Sequence, residues 1–275
     1  MICAWDALLG ILPQWIREDV DKLGRETMQE LRLRINAPPE MVLNMHSMFL
    51  KRTVSREDIS FIVNTASRYS PWMTASIAKG YLTAPGGHRI GLCGEVVCKE
   101  GSVSGIREVT SLNIRIARDF PGIGTGVLSA KGSVLILGPP GWGKTTLLRD
   151  MIRQLSEHEC VAVVDERAEL FPCGLPRGKR MDILTGARKA QGMEMVLRSM
   201  GPKWIAVDEI TASEDCDAIL GAYGCGVRLI ASAHGSSVED FCKRPMYKPL
   251  VQNDIFETVY VMLPDKSFRR ERMIR

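Results

Sequence analysis

Hydrophobic and polar positions change their rhythm about half-way along the chain. In the first half the apolar positions mostly alternate. LRLRI (31–35) and SLNIRIAR (111–118) repeat at period two, which predicts half-buried strands. YLTA, then Pro85-Gly86-Gly87, then HRIGLCGEVV predicts two strands around a turn. Residues 16–29 are charged and helix-compatible. Ser55 and Asp58 have the spacing of a capping box, with a helical run to about Tyr69. Pro71 would open a further helix that Gly80 ends. Residues 1–120 therefore read as a smaller α+β domain.

After Lys131 short, wholly apolar strands alternate with amphipathic helices. The strands are SVLIL (133–137), VAVVD (161–165), WIAVD (204–208), LIASA (229–233) and TVYVML (258–263). TTLLRDMIRQLSE (145–157) puts Leu147, Leu148, Met151, Ile152 and Leu155 on one helical face. Ala190, Met193, Leu197 and Met200 mark a second helix face. A helix near 213–223 begins with acids, and Ser236 with Glu239 caps a short helix that Pro245 ends. This alternation predicts an α/β domain over residues 132–275, with a mainly parallel sheet covered on both faces. Between the halves PGIGTG (121–126) lacks periodicity, so residues 121–131 read as a linker.

Composition narrows the class of protein. The 275 residues are 45% apolar and 25% charged, which excludes a disordered, collagenous or coiled-coil chain. The net charge of +4 shows no concentrated basic footprint, and no nucleic-acid partner is expected. No basic leader precedes an apolar run, and no stretch approaches the ~20 apolar residues of a spanning helix. The expectation is a cytoplasmic protein whose membrane association is at most peripheral. The eight cysteines have neither C-x-x-C nor zinc spacing and read as small buried hydrophobes. The basic tail, residues 266–275, reads as a solvated end.

The strongest chemical signal is Gly138-Pro139-Pro140-Gly141-Trp142-Gly143-Lys144-Thr145, with Thr146 following. It satisfies G-x-x-x-x-G-K-[ST] between an apolar strand and an amphipathic helix. Glycines let successive N–H groups point into one concavity, and the helix start adds partial positive charge. Lys144 would reach the β- and γ-phosphates of ATP, and the Thr145 hydroxyl would hold Mg²⁺.

Hydrolysis needs carboxylates at the same sheet edge. Asp208 and Glu209 end the WIAVD strand, where Asp208 would hold the metal and Glu209 would polarise water. Asp165-Glu166-Arg167 with Glu169 ends VAVVD and is expected beside or near the first strand, where Glu166 or Glu169 would assist. His234, at the end of LIASA, is placed to sense a terminal phosphate. His46, His88 and His158 read as structural.

GPPGWGKTTLLRD, VVDERAEL, MVLRSMGP, WIAVDEI and ASAHG occur in this order behind LRLRINAPPE, TAPGGHRIGLCGEVV and SLNIRIARDFPG. Over nearly its whole length the chain resembles the stage III sporulation protein AA family. That family is similar to the hexameric ATPases of type II and type IV secretion and of type IV pili. The resemblance implies a RecA-like P-loop ATPase domain behind the smaller domain, a homo-hexamer, and work in the mother cell at the forespore membranes. It implies membrane channel proteins of the same sporulation operon as partners, with VVDERAEL as the acidic box and His234 in the histidine box. It also implies an arginine supplied by the N-terminal domain, often across subunits. Candidates are Arg32, Arg34, Arg89, Arg115 and Arg118, with Arg115 and Arg118 nearest the linker. Trp142 is bulky for its loop position, and Thr185–Lys189 is more basic than the family pattern. Two other functions use the same loop. The mild charge argues against a RecA-type motor on nucleic acid. The Asp208–Glu209 pair argues against a nucleotide-binding scaffold with little turnover.

Overall fold

The computed structural model describes residues 3–24, 26–43, 46–68, 77–78, 80–99, 101–125, 132–172 and 175–273. The chain divides into two compact units, Met1–Asp119 with Pro172–Leu175, and Phe120–Phe171 with Pro176–Arg275. Of the helix expected between Pro71 and Gly80 only residues 77–78 are described, as helix, with a turn at Gly80; its remaining positions and the later part of the expected linker, residues 126–131, lie outside the described residues.

The first unit begins with α1 (Trp5–Gly10) and α2 (Gln14–Leu23), and α3 (Arg56–Ala66) follows the third strand. Its six strands are β1 (Met28–Arg34), β2 (Glu40–Leu43), β3 (Ser47–Phe49), β4 (Tyr81–Thr83), β5 (Arg89–Lys99) and β6 (Ser102–Arg115). They form one sheet in the order β3-β2-β1-β6-β5-β4, and every pairing is antiparallel. The helix expected over 16–29 is shorter, because the chain turns at Gly24 with a φ of +75°. The capping box forms as read. Ser55 Oγ accepts from Asp58 N at 3.1 Å, and Asp58 Oδ2 accepts from Ser55 N at 2.9 Å.

Period-two alternation sorts the β1 and β6 side chains. Leu31, Leu33, Leu112 and Ile114 are buried with Ile90, Ile59 and Ile62 in one core. Arg32, Arg34, Arg115 and Arg89 take the opposite face, with Arg115 in register with both Glu30 and Arg89. His88 is wholly buried. Its Nδ1 accepts from Ala117 N at 3.2 Å, so its Nε2–H donates to Ala4 O at 3.0 Å. Both ring nitrogens are used by the neutral form, and burial, followed by the nearby Arg118 charge, holds the imidazole below its ordinary pKa although the Ala4 carbonyl favours the cation.

Among the described residues the second unit holds a seven-stranded sheet. Its strands are β7 (Val134–Leu137), β8 (Val161–Asp165), β9 (Met181–Thr185), β10 (Trp204–Ile210), β11 (Arg228–Ala233), β12 (Thr258–Met262) and β13 (Phe268–Glu271), in the order β13-β12-β7-β11-β10-β8-β9. All neighbours are parallel except β12 and β13. The carboxyl ends of β7, β8, β10, β11 and β12 therefore share one edge, where α/β sheets place ligands.

Alternate residues of these strands enter two cores. Val134, Ile136, Val161, Val163, Ala206 and Ile230 pack with Leu147, Leu148, Met151 and Ile152 of α4 (Lys144–His158). Leu135, Leu137, Val164, Val207, Leu229 and Ala231 pack on the other side. There they meet α5 (Lys189–Met200), α6 (Ser213–Gly224), α7 (Val238–Lys243) and α8 (Lys248–Gln252). Burial on both faces explains why these strands read as continuous apolar runs.

Several expectations change. MDILT is a strand, β9, only half-buried at the sheet edge, so its apolar signal is diluted. The tail is not wholly a solvated end, because Phe268–Glu271 pairs with β12 and Phe268 meets Tyr260 edge-on. Met200 is exposed rather than part of the buried face of α5. The short helix α7 is capped one residue later than expected, by Ser237 Oγ accepting from Asp240 N. The described cysteines are free, but Cys93, Cys98, Cys160 and Cys225 are exposed and only Cys216 is buried.

Candidate functional site

The glycine-rich loop joins the carboxyl end of β7 to α4. Gly141 and Gly143 have φ of +78° and +98°, values that L side chains rarely adopt, and Gly143 is the residue from which α4 starts. The first turn of α4 has no side-chain cap and no acid. Its N–H groups are thus available to an anion, which suits a phosphate. Lys144 is buried and folds back on the loop, with Nζ donating to Gly138 O at 2.8 Å and Pro139 O at 3.2 Å. Burial lowers its pKa, and the charges of Glu209 and Asp208 oppose that effect. Met262, at the end of β12, closes one side: a Cβ on Gly138 would stand 2.9 Å from its Cβ. Trp142 packs partly buried on the α4 side of the core, while Thr145 and Thr146 are half-buried in the first helical turn.

Asp208 and Glu209 lie near the end of β10, one strand from β7 across β11. The β10–β11 register shifts between Val207 and Glu209, so the pairing is irregular at Asp208. A shift of this kind re-aims side chains at strand ends. Burial, and then the charges of Glu169, Asp165 and Glu209, push the Asp208 carboxyl up to about 6. His234 Nε2 lies against Glu209 Oε1, an ion-pair contact when the ring is protonated.

The acidic turn after β8 is not beside the loop strand, because β11 and β10 stand between β8 and β7. Within the turn the three acids do different things. Asp165 is wholly buried and accepts from Glu169 N at 2.8 Å, Leu170 N at 2.9 Å and Phe171 N at 3.0 Å. Its burial pushes the carboxyl above the usual range, against those hydrogen bonds and the Arg149 charge. Arg149 of α4 holds the same turn by donating to Leu170 O and, at 2.9 Å, to Glu169 O. So constrained, Ala168 takes a φ of +53°. Glu166 pairs with Lys189 at 3.1 Å, not with the adjacent Arg167. Burial would raise its pKa, but the Lys189 hydrogen bond and charge bring it below the ordinary value. Glu169 is close enough to Asp208 to raise its pKa.

A sequence profile of the family described as sporulation stage III, protein AA, matches residues 6–271. The chain belongs to this family. Stage III sporulation protein AA of Bacillus subtilis (strain 168) is 38% identical over 267 residues, 90% of this chain and 87% of that protein. The uncharacterized protein ycf45 of Porphyra purpurea is 28% identical over 278 residues, 96% of this chain but 46% of its own length. Two solved structures share the architecture. The Legionella pneumophila ATPase DotB superposes with a TM-score of 0.58 and 17% identity, over 94% of this chain and 79% of that one. The pilus retraction motor PilT with bound ADP gives 0.60 and 15%, over 95% and 78%. At such identities the likeness establishes the fold, a P-loop ATPase fold as the sequence leads one to expect. No helix among the described residues is long and apolar enough to cross a membrane.

In this stage III AA family member the candidate arginines all belong to the first unit. Arg32 pairs with Glu30 at 2.8 Å and Arg34 with Glu40 at 2.9 Å. Arg115 stands 4.0 Å from Glu30, and Arg118 donates to the main-chain oxygens of Met28 and Glu26. Sequence reasoning missed Arg149 and Asp215, whose partners lie far along the chain or in the main chain. It singled out the basicity around Lys189 without finding its acids.

Proposed function

We propose that this family member is a Mg²⁺-dependent ATPase that energises or assembles a membrane channel between mother cell and forespore during endospore formation. The observation that carries the reading is one sheet edge that holds a glycine loop feeding an uncapped helix start, a buried lysine, and the Asp208–Glu209 pair one strand away. The loop amides and Lys144 would bind the phosphates. Thr145 and Asp208 would hold Mg²⁺, which neutralises charge on the phosphates when bound. Glu209 would accept a proton from the attacking water, and His234, now against Glu209, would be drawn toward a terminal phosphate. Glu169 would add to the field at Asp208, and Arg115 would supply a cation from the N-terminal unit of a neighbouring copy.

The reading implies a homo-hexamer, because an arginine supplied in trans needs a neighbour. The partners would be membrane channel proteins of the same sporulation operon, met by peripheral contact from the mother-cell cytoplasm. The test is calorimetric titration with Mg²⁺-ATP, followed by phosphate release against protein concentration with mass by light scattering. Saturable uptake and a specific activity that rises with assembly are expected. Absence of nucleotide uptake by folded protein contradicts the reading.

A further inference from the structure

Lys189 sits where helix physics disfavours it. It opens α5 directly after Arg188, in a first turn that contains no acid. A cation there opposes the positive end of the helix dipole. Yet its side chain is only 12% exposed, so its charge must be matched inside the protein. Two carboxylates match it: Nζ is 3.1 Å from Glu166 Oε2 and 3.8 Å from Asp215 Oδ2. Glu166 belongs to the turn after β8. Asp215 belongs to the start of α6, just beyond β10, and its Oδ2 also accepts from Thr211 N at 3.0 Å and Ala212 N at 3.2 Å. The close approach of α5 to β8 depends on Gly192, where a Cβ would stand 2.5 Å from Val164 Cγ1.

We propose that Lys189 is a positioning residue of the nucleotide site: its ammonium clamps the turn carrying Glu166 and Glu169 to the segment 211–215 that follows Asp208 and Glu209. The inference rests on the hydrolytic reading of that site. Strands β8 and β10 are neighbours, so the clamp joins the acidic turn after β8 to the end of β10, which carries Asp208. Asp165, Glu169 and Glu209 repel Asp208, and Lys189 attracts it. Lys144 would turn to the phosphates when nucleotide binds, whereas Lys189 would stay. The phosphate grip itself comes from the loop amides and Lys144, none of which Lys189 is bonded to. Loosening the clamp therefore lowers turnover and spares nucleotide affinity.

The test uses the full chain with Lys189→Met, Lys189→Arg and the double variant Lys189→Met/Glu166→Gln. Amide hydrogen exchange over 166–171 and 211–215 reads the clamp without nucleotide. Phosphate release from Mg²⁺-ATP reads its consequence. Lys189→Met should raise exchange about tenfold or more in both segments while α4 stays protected. It should lower kcat about tenfold or more with KM within about threefold, and Lys189→Arg should restore part of the loss. The double variant should be no slower than Lys189→Met, and it carries the test if the single variant does not fold. Unchanged exchange in either segment overturns the clamp, and an unchanged kcat overturns the positioning role. A wild-type chain that releases no phosphate, while the exchange arm behaves as expected, contradicts the hydrolytic reading and supports the clamp.

Discussion

The carboxylate of Asp150, on the helix that follows the phosphate loop, accepts the main-chain N–H of Gly124 at 2.8 Å. It also accepts from Gly122 N at 3.0 Å, and from Arg153 and Gln154 at 2.7 Å each. Residues 121–125, which the sequence presents as the start of a linker, are thus tied to α4 and group with the second unit. Asp150→Ala would leave the buried Gly124 amide without its acceptor and remove one acceptor each from Gly122 N and the Arg153 guanidinium. It should destabilise the chain by about 2–4 kcal/mol. Asp150→Asn, which keeps one acceptor oxygen, should lose less. Denaturant unfolding measures both, and a loss below about 1 kcal/mol in the alanine variant contradicts the anchoring role.

Lys144→Ala should weaken ATP binding about 100-fold, the upper range for a charged hydrogen-bond donor. Thermal unfolding without nucleotide should not move to lower temperature, because burial of the lysine opposes its charge. Calorimetry and a melting curve separate the two effects. Undiminished ATP affinity would remove Lys144 from the phosphate site.

His88 predicts a pH dependence of stability. Its folded pKa lies below the ordinary value of 6.5, so near and below pH 6.5 the unfolded chain binds more protons than the folded one. Stability is complete above pH 6.5 and falls as pH drops from there toward the folded pKa. His88→Gln should be less stable at pH 8 and should lose less on acidification to pH 5, relative to wild type. Parallel stability curves for the two proteins over that range would contradict the assignment.

Arg115 and Arg118 should part company. Arg115 is 63% exposed, with Glu30 at 4.0 Å, so Arg115→Ala should cost under about 1 kcal/mol of stability. If Arg115 supplies the cation in trans, turnover should fall by about 10³-fold with ATP affinity nearly unchanged. Arg118 holds main-chain oxygens of Met28 and Glu26, and Arg118→Ala should be seen first in the melting temperature. Equal loss of binding and turnover in Arg115→Ala would count against the catalytic role.

Local patterns made part of this legible in the sequence. The loop motif, the buried strands and the Ser55–Asp58 box each depend on residues a few positions apart, and each was readable. Strand order was not, because nothing in VAVVD says that two strands separate it from SVLIL. Nor was the division of labour among Asp165, Glu166 and Glu169. Asp165 is turned toward main-chain amides that converge on it only once the turn has formed. Lys189 reads as excess basic charge in the sequence, because its partner Glu166 lies 23 residues away. Edge strand β13, Phe268 followed by two arginines and a glutamate, reads as a solvated tail because charge outweighs its single apolar residue.

Glu209→Gln examined against wild type with Mg²⁺-ATP tests the central claim most directly. The substitution keeps the size of the side chain and removes its basicity. Phosphate release should fall about 100-fold or more while nucleotide uptake stays within about threefold. Equal phosphate release from both proteins would contradict the account.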